Sequence, residues 1–170
     1  MSNTIFSSTM SSPVGRLTLV GQGDDLVGLY FDKDPLAAKM RADSARDDRR
    51  LRPAIEQLEE YFAGARTRFE LSLVPPGTAF QKEVWAALVR IPFGATATYG
   101  EIARAVGRPD ASRAVGGANH RNPIAIIIPC HRVIGADGSM TGYGGGLPRK
   151  RLLLDLETRV AAAGQLALAL

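Results

Sequence analysis

A chain of 170 residues, 45% hydrophobic and 22% charged, holds one ordinary domain or two small ones, and its composition is that of a soluble globular protein. A single cysteine excludes an internal disulfide and a cysteine-based zinc cage, and with only His120 and His131 besides, no metal site is expected. No apolar run would span a bilayer and the N-terminus lacks a basic-then-apolar leader, so no membrane partner is expected and the cytoplasm is the expected compartment.

Thr4–Met10, Arg16–Gly21 and Leu26–Phe31 read as three short strands, with Ser12-Pro13 and Gly23-Asp24-Asp25 as the turns of an antiparallel meander. Residues 32–50 are charged and irregular, a helix and a surface loop. A clear helix follows, with Pro53 in its first turn, Ile55, Leu58, Tyr61 and Phe62 on one face, and Gly64 as its stop. Arg68–Leu73 alternates as a strand or extended connector, and Pro75-Pro76-Gly77 marks the best domain boundary.

Beyond that boundary the pattern turns helical. Thr78 with Gln81, and Thr98 with Glu101, have the spacing of capping boxes. The first opens a helix through Val84, Trp85 and Leu88; the second opens a helix through Ile102 and Val106 that Gly107 closes. A helix from Pro109-Asp110 to about Asn119 completes a helix-turn-helix. Gly116 and Gly117 inside it cost roughly 1 kcal/mol each against alanine, which implies close approach by another helix or by a nucleic acid backbone. Pro148 opens a last helix, with Leu152, Leu153 and Leu156 turned inward and Glu157 beside them.

Charge separates the two halves. Residues 1–75 carry 10 Lys/Arg against 11 Asp/Glu, and residues 76–170 carry 11 against 6, so the second half holds the whole excess of a net charge of +4. A basic surface favours a polyanion, nucleic acid first, although a solvated basic face has the same composition.

The stretch Ile124-Ala-Ile-Ile-Ile-Pro-Cys-His-Arg-Val-Ile134 stands out in that basic half. Its aliphatic run reads as a buried strand ending at Pro129, which cannot donate to a ladder. Cys130 follows, with His131 and Arg132 beside it. A lone cysteine is commonly a small buried hydrophobe, but polar and positive neighbours lower a thiol's pKa and make it a candidate nucleophile. On an ideal strand Cys130 and His131 would face opposite sides, so they cooperate only if Pro129 bends the chain. The loop Ser139–Gly146 is glycine-rich but lacks a P-loop lysine.

Ile128-Pro-Cys-His-Arg-Val133, Arg113-Ala-Val-Gly-Gly-Ala118, Asn122-Pro123, Tyr99-Gly-Glu-Ile-Ala103 and Tyr143-Gly-Gly-Gly-Leu147 together resemble the O6-alkylguanine-DNA alkyltransferases, over residues 78–157. The first half matches only in its meander-then-helix outline, and it lacks the cysteines with which some relatives hold zinc. The resemblance implies an α+β protein: a small N-terminal antiparallel β-meander and helix domain, ribonuclease-H-like, over residues 1–75, and a mainly helical C-terminal winged helix-turn-helix domain over residues 76–170. It implies a single-turnover DNA repair protein that flips O6-alkylguanine, and also O4-alkylthymine, out of duplex DNA and takes the alkyl group onto its own cysteine, without a cofactor. A monomer in solution is expected, with several copies able to sit side by side on DNA.

The resemblance also assigns roles. Cys130 matches the alkyl acceptor, His131 the base acting through a water, Glu157 the carboxylate that orients it, and Asn122 the tie between recognition helix and active-site loop. Tyr99 matches the phenol that hydrogen-bonds the guanine and neutralises it as it leaves. Arg113 matches the arginine that enters the base stack, with Ser112, Ala114, Gly116, Gly117 and Tyr99 forming the rest of the DNA face. Val133, Tyr143, Gly144 and Pro129 match the wall around the flipped base. The family often has serine where Gly144 stands, so a hydroxyl contact is missing and the pocket is expected to be roomier. Three other readings remain open on residues alone: a lesion binder of the same fold that does no chemistry, a Cys–His hydrolase, and a helix-turn-helix regulator.

Overall fold

The computed structural model describes residues 3–169, and they form two compact units. The first holds the residues up to Pro76 together with Pro123–Ala125; the second holds Gly77–Asn122 and the residues from Ile126 onward. Among the described residues no helix is long and apolar enough to cross a membrane.

The first unit is built on the meander that alternation implies. Strands β1 (Ile5–Met10), β2 (Leu17–Gln22) and β3 (Asp25–Phe31) pair antiparallel, with Leu19 opposite Ser8 on one side and Leu29 on the other. Residues 32–50 are more ordered than their charge suggests. Asp34 caps helix α1 (Pro35–Asp43), β4 (Ala45–Arg46) pairs parallel with β1, and Asp47 caps helix α2 (Asp48–Phe62). The sheet order is therefore β3-β2-β1-β4. Helix α2 begins earlier than expected, so Pro53 lies inside it and removes one intrahelical bond. Its buried stripe is Leu51, Ala54, Leu58 and Tyr61, while Ile55 and Phe62 are only half-buried.

The outer edge of β3 is covered by two extended segments instead of a fifth regular strand. Leu26 N–H donates to Ser72 O at 2.8 Å and its carbonyl accepts from Val74 N–H at 3.0 Å. Further along, Leu29 N–H donates to Pro123 O at 2.8 Å and Ala125 N–H donates to Leu29 O at 3.1 Å. This pairing is why Pro123–Ala125 belongs to the first unit, although the boundary read from the sequence placed it in the second. The buried strand expected from Ile124 to Ile128 is not formed. Only Ile124 bridges to Leu29; residues 125–127 turn, and Ile126 has φ 71°, which ends extended geometry at once. All five residues are nonetheless buried. An apolar run reports burial and cannot by itself distinguish a strand from a packed turn.

In the second unit both capping boxes form. Thr78 opens α3 (Ala79–Val89) and Thr98 opens α4 (Tyr99–Ala105), each hydroxyl accepting from the N3 amide while the N3 side chain returns to the cap amide. Gly107, at φ 75°, turns the chain, and α5 (Ser112–His120) follows, starting two residues later than Asp110 because Arg108–Ala111 closes a turn first. Helices α4 and α5 make the helix-turn-helix. Trp85 on α3 is buried, and its Nε1–H donates to Ala118 O on α5 at 2.9 Å, which fixes the recognition helix against the core. Short strands β5 (Ala97–Thr98) and β6 (Val133–Ile134) pair parallel. The last helix, α6 (Leu147–Ala169), buries Leu153 and Leu156 but leaves Leu152 37% exposed, contrary to the inward position expected for it.

Candidate active site and nucleic-acid face

Cys130 sits in a turn. Pro129, at φ −83° and ψ 63°, bends the chain, and Cys130–Arg132 form one turn of 3-10 helix. With three residues per turn, neighbouring side chains diverge by about 120° instead of opposing each other, so Cys130 and His131 can serve one site. The turn is pinned by main-chain bonds from Cys130 N–H to Ile128 O at 2.8 Å and from Arg132 N–H to Pro129 O at 3.0 Å.

Asn122, just past the end of α5, spans this turn. Its Nδ2 donates to Ile128 O at 2.7 Å and to Cys130 Sγ at 3.1 Å. Asn119, one turn earlier, reaches the Cys130 carbonyl at 3.4 Å. The Tyr143 side chain also acts on the sulfur, lowering the thiol. Burial pushes the Cys130 thiol up, and the Asn122 bond, the nearby Tyr143 side chain and the Lys150 charge offset this only in part. The polar neighbours were expected to leave a lowered thiol; burial outweighs them, so the resting group is protonated.

Behind the thiol lies a buried ionic cluster. His131 Nε2 is 2.6 Å from Glu157 Oε2. Arg132 clamps the same carboxylate, Nε to Oε1 at 2.7 Å and Nη2 to Oε2 at 3.1 Å, and sends Nη1 to Ile91 O at 2.7 Å. Gly94 N–H adds a bond to Oε1 at 3.3 Å. Burial alone would raise the Glu157 carboxyl, but the His131 and Arg132 bonds and charges outweigh it and hold it at about 2. Burial pushes His131 down, against the pull of Glu157. Near neutral pH the carboxylate is therefore ionised and the imidazole neutral. An ionised carboxylate only accepts, so Nε2 carries the hydrogen, and Nδ1, buried without a hydrogen-bond partner among the described residues, keeps its lone pair as the basic nitrogen.

The other residues singled out from the sequence fall into two groups. Tyr99, first residue of α4, is half-buried and its hydroxyl lies 2.8 Å from Thr141 Oγ1. Val133 is fully buried, three residues after Cys130, and Pro129 is buried at the head of the turn. Gly144 is exposed, and a Cβ placed there would stand 3.7 Å from His120 O, an ordinary contact, so the serine common in the family would fit. Ser112, Arg113, Ala114 and Gly117 form an exposed face of α5 with Gly116 half-buried beside it. Among the described residues no atom lies within 4 Å of a Cβ built on Gly117, and at Gly116 only the Tyr99 ring comes as near as 3.9 Å. The close approach that these glycines permit is therefore not to another part of the second unit. Arg132 and Lys150 were missing from the residues assigned to the site. Only the unusual placement of cations next to an aliphatic run could have signalled them.

Comparison with known proteins agrees with this geometry. Residues 79–159 match the model of the 6-O-methylguanine DNA methyltransferase DNA binding domain, and residues 5–75 match that of the 6-O-methylguanine DNA methyltransferase ribonuclease-like domain. The methylated-DNA–protein-cysteine methyltransferase of Mycobacterium tuberculosis is 51% identical over 155 residues, 91% of this chain and 93% of that protein.

The chain belongs to the 6-O-methylguanine DNA methyltransferase family.

Its methyltransferase relatives extend to archaea: the methylated-DNA–protein-cysteine methyltransferase of Methanosarcina acetivorans is 49% identical over 153 residues, 90% of this chain and 98% of its own. Among solved structures, that of Mycobacterium tuberculosis O6-methylguanine methyltransferase superposes with a TM-score of 0.86 at 49% identity, covering 92% of this chain and 94% of that one. The complex of Mycobacterium tuberculosis OGT with DNA gives a TM-score of 0.85 at 50% identity, covering 91% and 94%.

Proposed function

We propose that this protein repairs O6-alkylguanine in duplex DNA by moving the alkyl group onto Cys130, once per molecule. The observation that carries the reading is the placement of Cys130 Sγ on the Asn122 amide at 3.1 Å, in the same turn as a neutral His131 held by Glu157. The relatives named as methylated-DNA–protein-cysteine methyltransferases and the homologue solved with DNA support it.

The chemistry balances without a cofactor. The thiol proton passes through a water to His131 Nδ1, and Glu157, held in place by Arg132, stabilises the imidazolium that results. The thiolate attacks the alkyl carbon, a C–S bond forms, the C–O6 bond breaks, and the electron pair leaves on the guanine. Tyr99 donates a proton to that base, so guanine departs neutral. A base in a stacked duplex is out of reach of a buried thiol, so it must be flipped, at a cost of a few kcal/mol. Arg113 on the exposed face of α5 fills the gap it leaves, while Ser112, Ala114, Gly116 and Gly117 lie against the backbone. Val133, Pro129, Tyr143 and Gly144 enclose the extrahelical base. Residues 1–75 and 76–170 act as a supporting domain and a DNA-binding, alkyl-accepting domain, in the cytoplasm.

The test is the intact mass of the protein after incubation with a duplex bearing O6-methylguanine. A gain of one methylene unit, mapped to Cys130 and abolished in Cys130→Ser, is the expected result. Cys130→Ser should still bind DNA, more weakly as salt rises, because phosphate contacts release counterions. An unchanged mass would overturn the reading.

A further inference from the structure

Lys150 is a buried cation that the reaction as described above does not use. It lies on α6, is fully buried, and its ammonium donates to two carbonyls, Val133 O at 2.6 Å and Thr141 O at 3.2 Å. Among the described residues no carboxylate lies within ion-pair distance of it. Arg132 is the contrasting case, buried nearby and clamped by Glu157. Burying an ammonium against carbonyl dipoles alone is costly, and a negative charge forming nearby would offset that cost.

The two carbonyls say where. Val133 belongs to the cysteine turn, its N–H donating to Cys130 O. Thr141 belongs to the glycine-rich loop, and its hydroxyl meets Tyr99. Lys150 therefore joins the acceptor turn to the loop that holds the phenol, and its charge is felt by Cys130 and by His131. The charged and titratable groups around the sulfur are Lys150, Arg132, His131, Glu157 and Tyr143, with Tyr99 beyond Thr141. Of the two cations only Lys150 is not already neutralised by a carboxylate.

We propose that Lys150 is the counter-charge of the reacting sulfur: its ammonium, held by the Val133 and Thr141 carbonyls, supports the Cys130 thiolate and loses its partner when the thiolate becomes a thioether. This rests on the reading of Cys130 as alkyl acceptor. It makes Lys150 a positioning residue that acts through the ionisation of Cys130, and it links the end of the reaction to the loop that carries Thr141 and Tyr143. Burial lowers Lys150, and a charge on the sulfur, present when the thiol ionises, raises it. Once the sulfur is alkylated, only the lowering influence is left.

The measurement is the rate of Cys130 carbamidomethylation by iodoacetamide as a function of pH, in wild type, Lys150→Met and Lys150→Arg. As the sole cysteine, Cys130 is the only thiol read. Lys150→Met should move the thiol midpoint up by about one pH unit, an order of magnitude in rate near neutral pH that is recovered in alkali. Lys150→Arg should restore part of that shift. An unchanged midpoint in Lys150→Met, with rates altered equally at every pH, would show a merely structural lysine and overturn the proposal. Should Lys150→Met not fold, the Lys150 Nζ titration followed by nitrogen NMR in wild type decides: a lower midpoint after carbamidomethylation supports the counter-charge, and an unmoved one overturns it. Neither readout uses DNA, so failure here is distinct from failure of alkyl transfer.

Discussion

Asn122 Nδ2 donates at once to the Ile128 carbonyl and to the sulfur of Cys130, at 2.7 and 3.1 Å, so a single amide ties down the acceptor turn and favours ionisation of its nucleophile. Asparagine is suited to this because its nitrogen carries two hydrogens on one planar group. Asn122→Asp is nearly isosteric but removes both donated bonds and sets an anion against the Ile128 carbonyl and the thiolate. The variant should transfer methyl at least about tenfold more slowly than wild type near neutral pH, the rate equivalent of one pKa unit. Single-turnover rates across pH check this, and a rate equal to wild type would remove Asn122 from thiolate formation.

Glu157 anchors three donors in the interior, His131, Arg132 and the Gly94 amide. Glu157→Gln leaves the Arg132 guanidinium buried without its counterion, a change that typically costs about 3–5 kcal/mol. It should lower the urea midpoint and slow transfer together. The pH dependence has a definite sign. Glu157 is held at about 2 against an ordinary value of 4.5, so its contribution is complete above about pH 4.5 and is lost as pH falls toward 2. His131, lowered from 6.5, adds in the same direction, because below its ordinary value the unfolded chain takes up a proton that the folded one resists. Wild type should lose stability steadily from about pH 6.5 downward, and Glu157→Gln should lose less between 4.5 and 2. Urea titrations at several pH values compare the two.

Arg113 is exposed on α5. Arg113→Ala should change stability by no more than about 0.5 kcal/mol, as surface substitutions do. Repair of methylated duplex should nevertheless slow far more than alkylation by free O6-benzylguanine, which needs no flipping. Equal losses on the two substrates would make Arg113 a pocket residue.

Cys130 is buried, and alkylation both adds volume there and converts the acceptor of the Asn122 bond into a thioether. Overpacking of this kind costs about 1–3 kcal/mol. For a domain of this size each kcal/mol lowers the melting temperature by about 2–4 °C. The alkylated protein should therefore melt several degrees below the free one, and its affinity for DNA should fall. A thermal scan of both forms is sufficient.

The sequence carried the framework well where local rules are strong. Both capping boxes, the three-strand meander and the helix-turn-helix follow from side chains within a few residues of one another, and each formed. The Ile124–Ile128 strand did not, because burial and extension leave the same apolar pattern and only the φ of Ile126 separates them. The correction helps the chemistry, since a 3-10 turn brings Cys130 and His131 to one site where a strand would part them. Arg132 and Lys150 stayed illegible for a related reason. Their partners, Glu157, Ile91, Val133 and Thr141, lie from 9 to 41 residues away in the chain, and no local pattern reports such pairings. The direction of the thiol shift was misread for the same cause: neighbours in sequence were visible, burial was not.

Stoichiometry tests the central claim most directly. Nothing in the chain offers a way back from a thioether at Cys130, since there is no second cysteine to attack it and a thioether is a poor leaving group. Limiting protein mixed with excess O6-methylguanine duplex should repair one lesion per molecule and stop, with every protein carrying one added methyl on Cys130. Continued repair beyond one equivalent, or a plateau with Cys130 unmodified, would contradict the account.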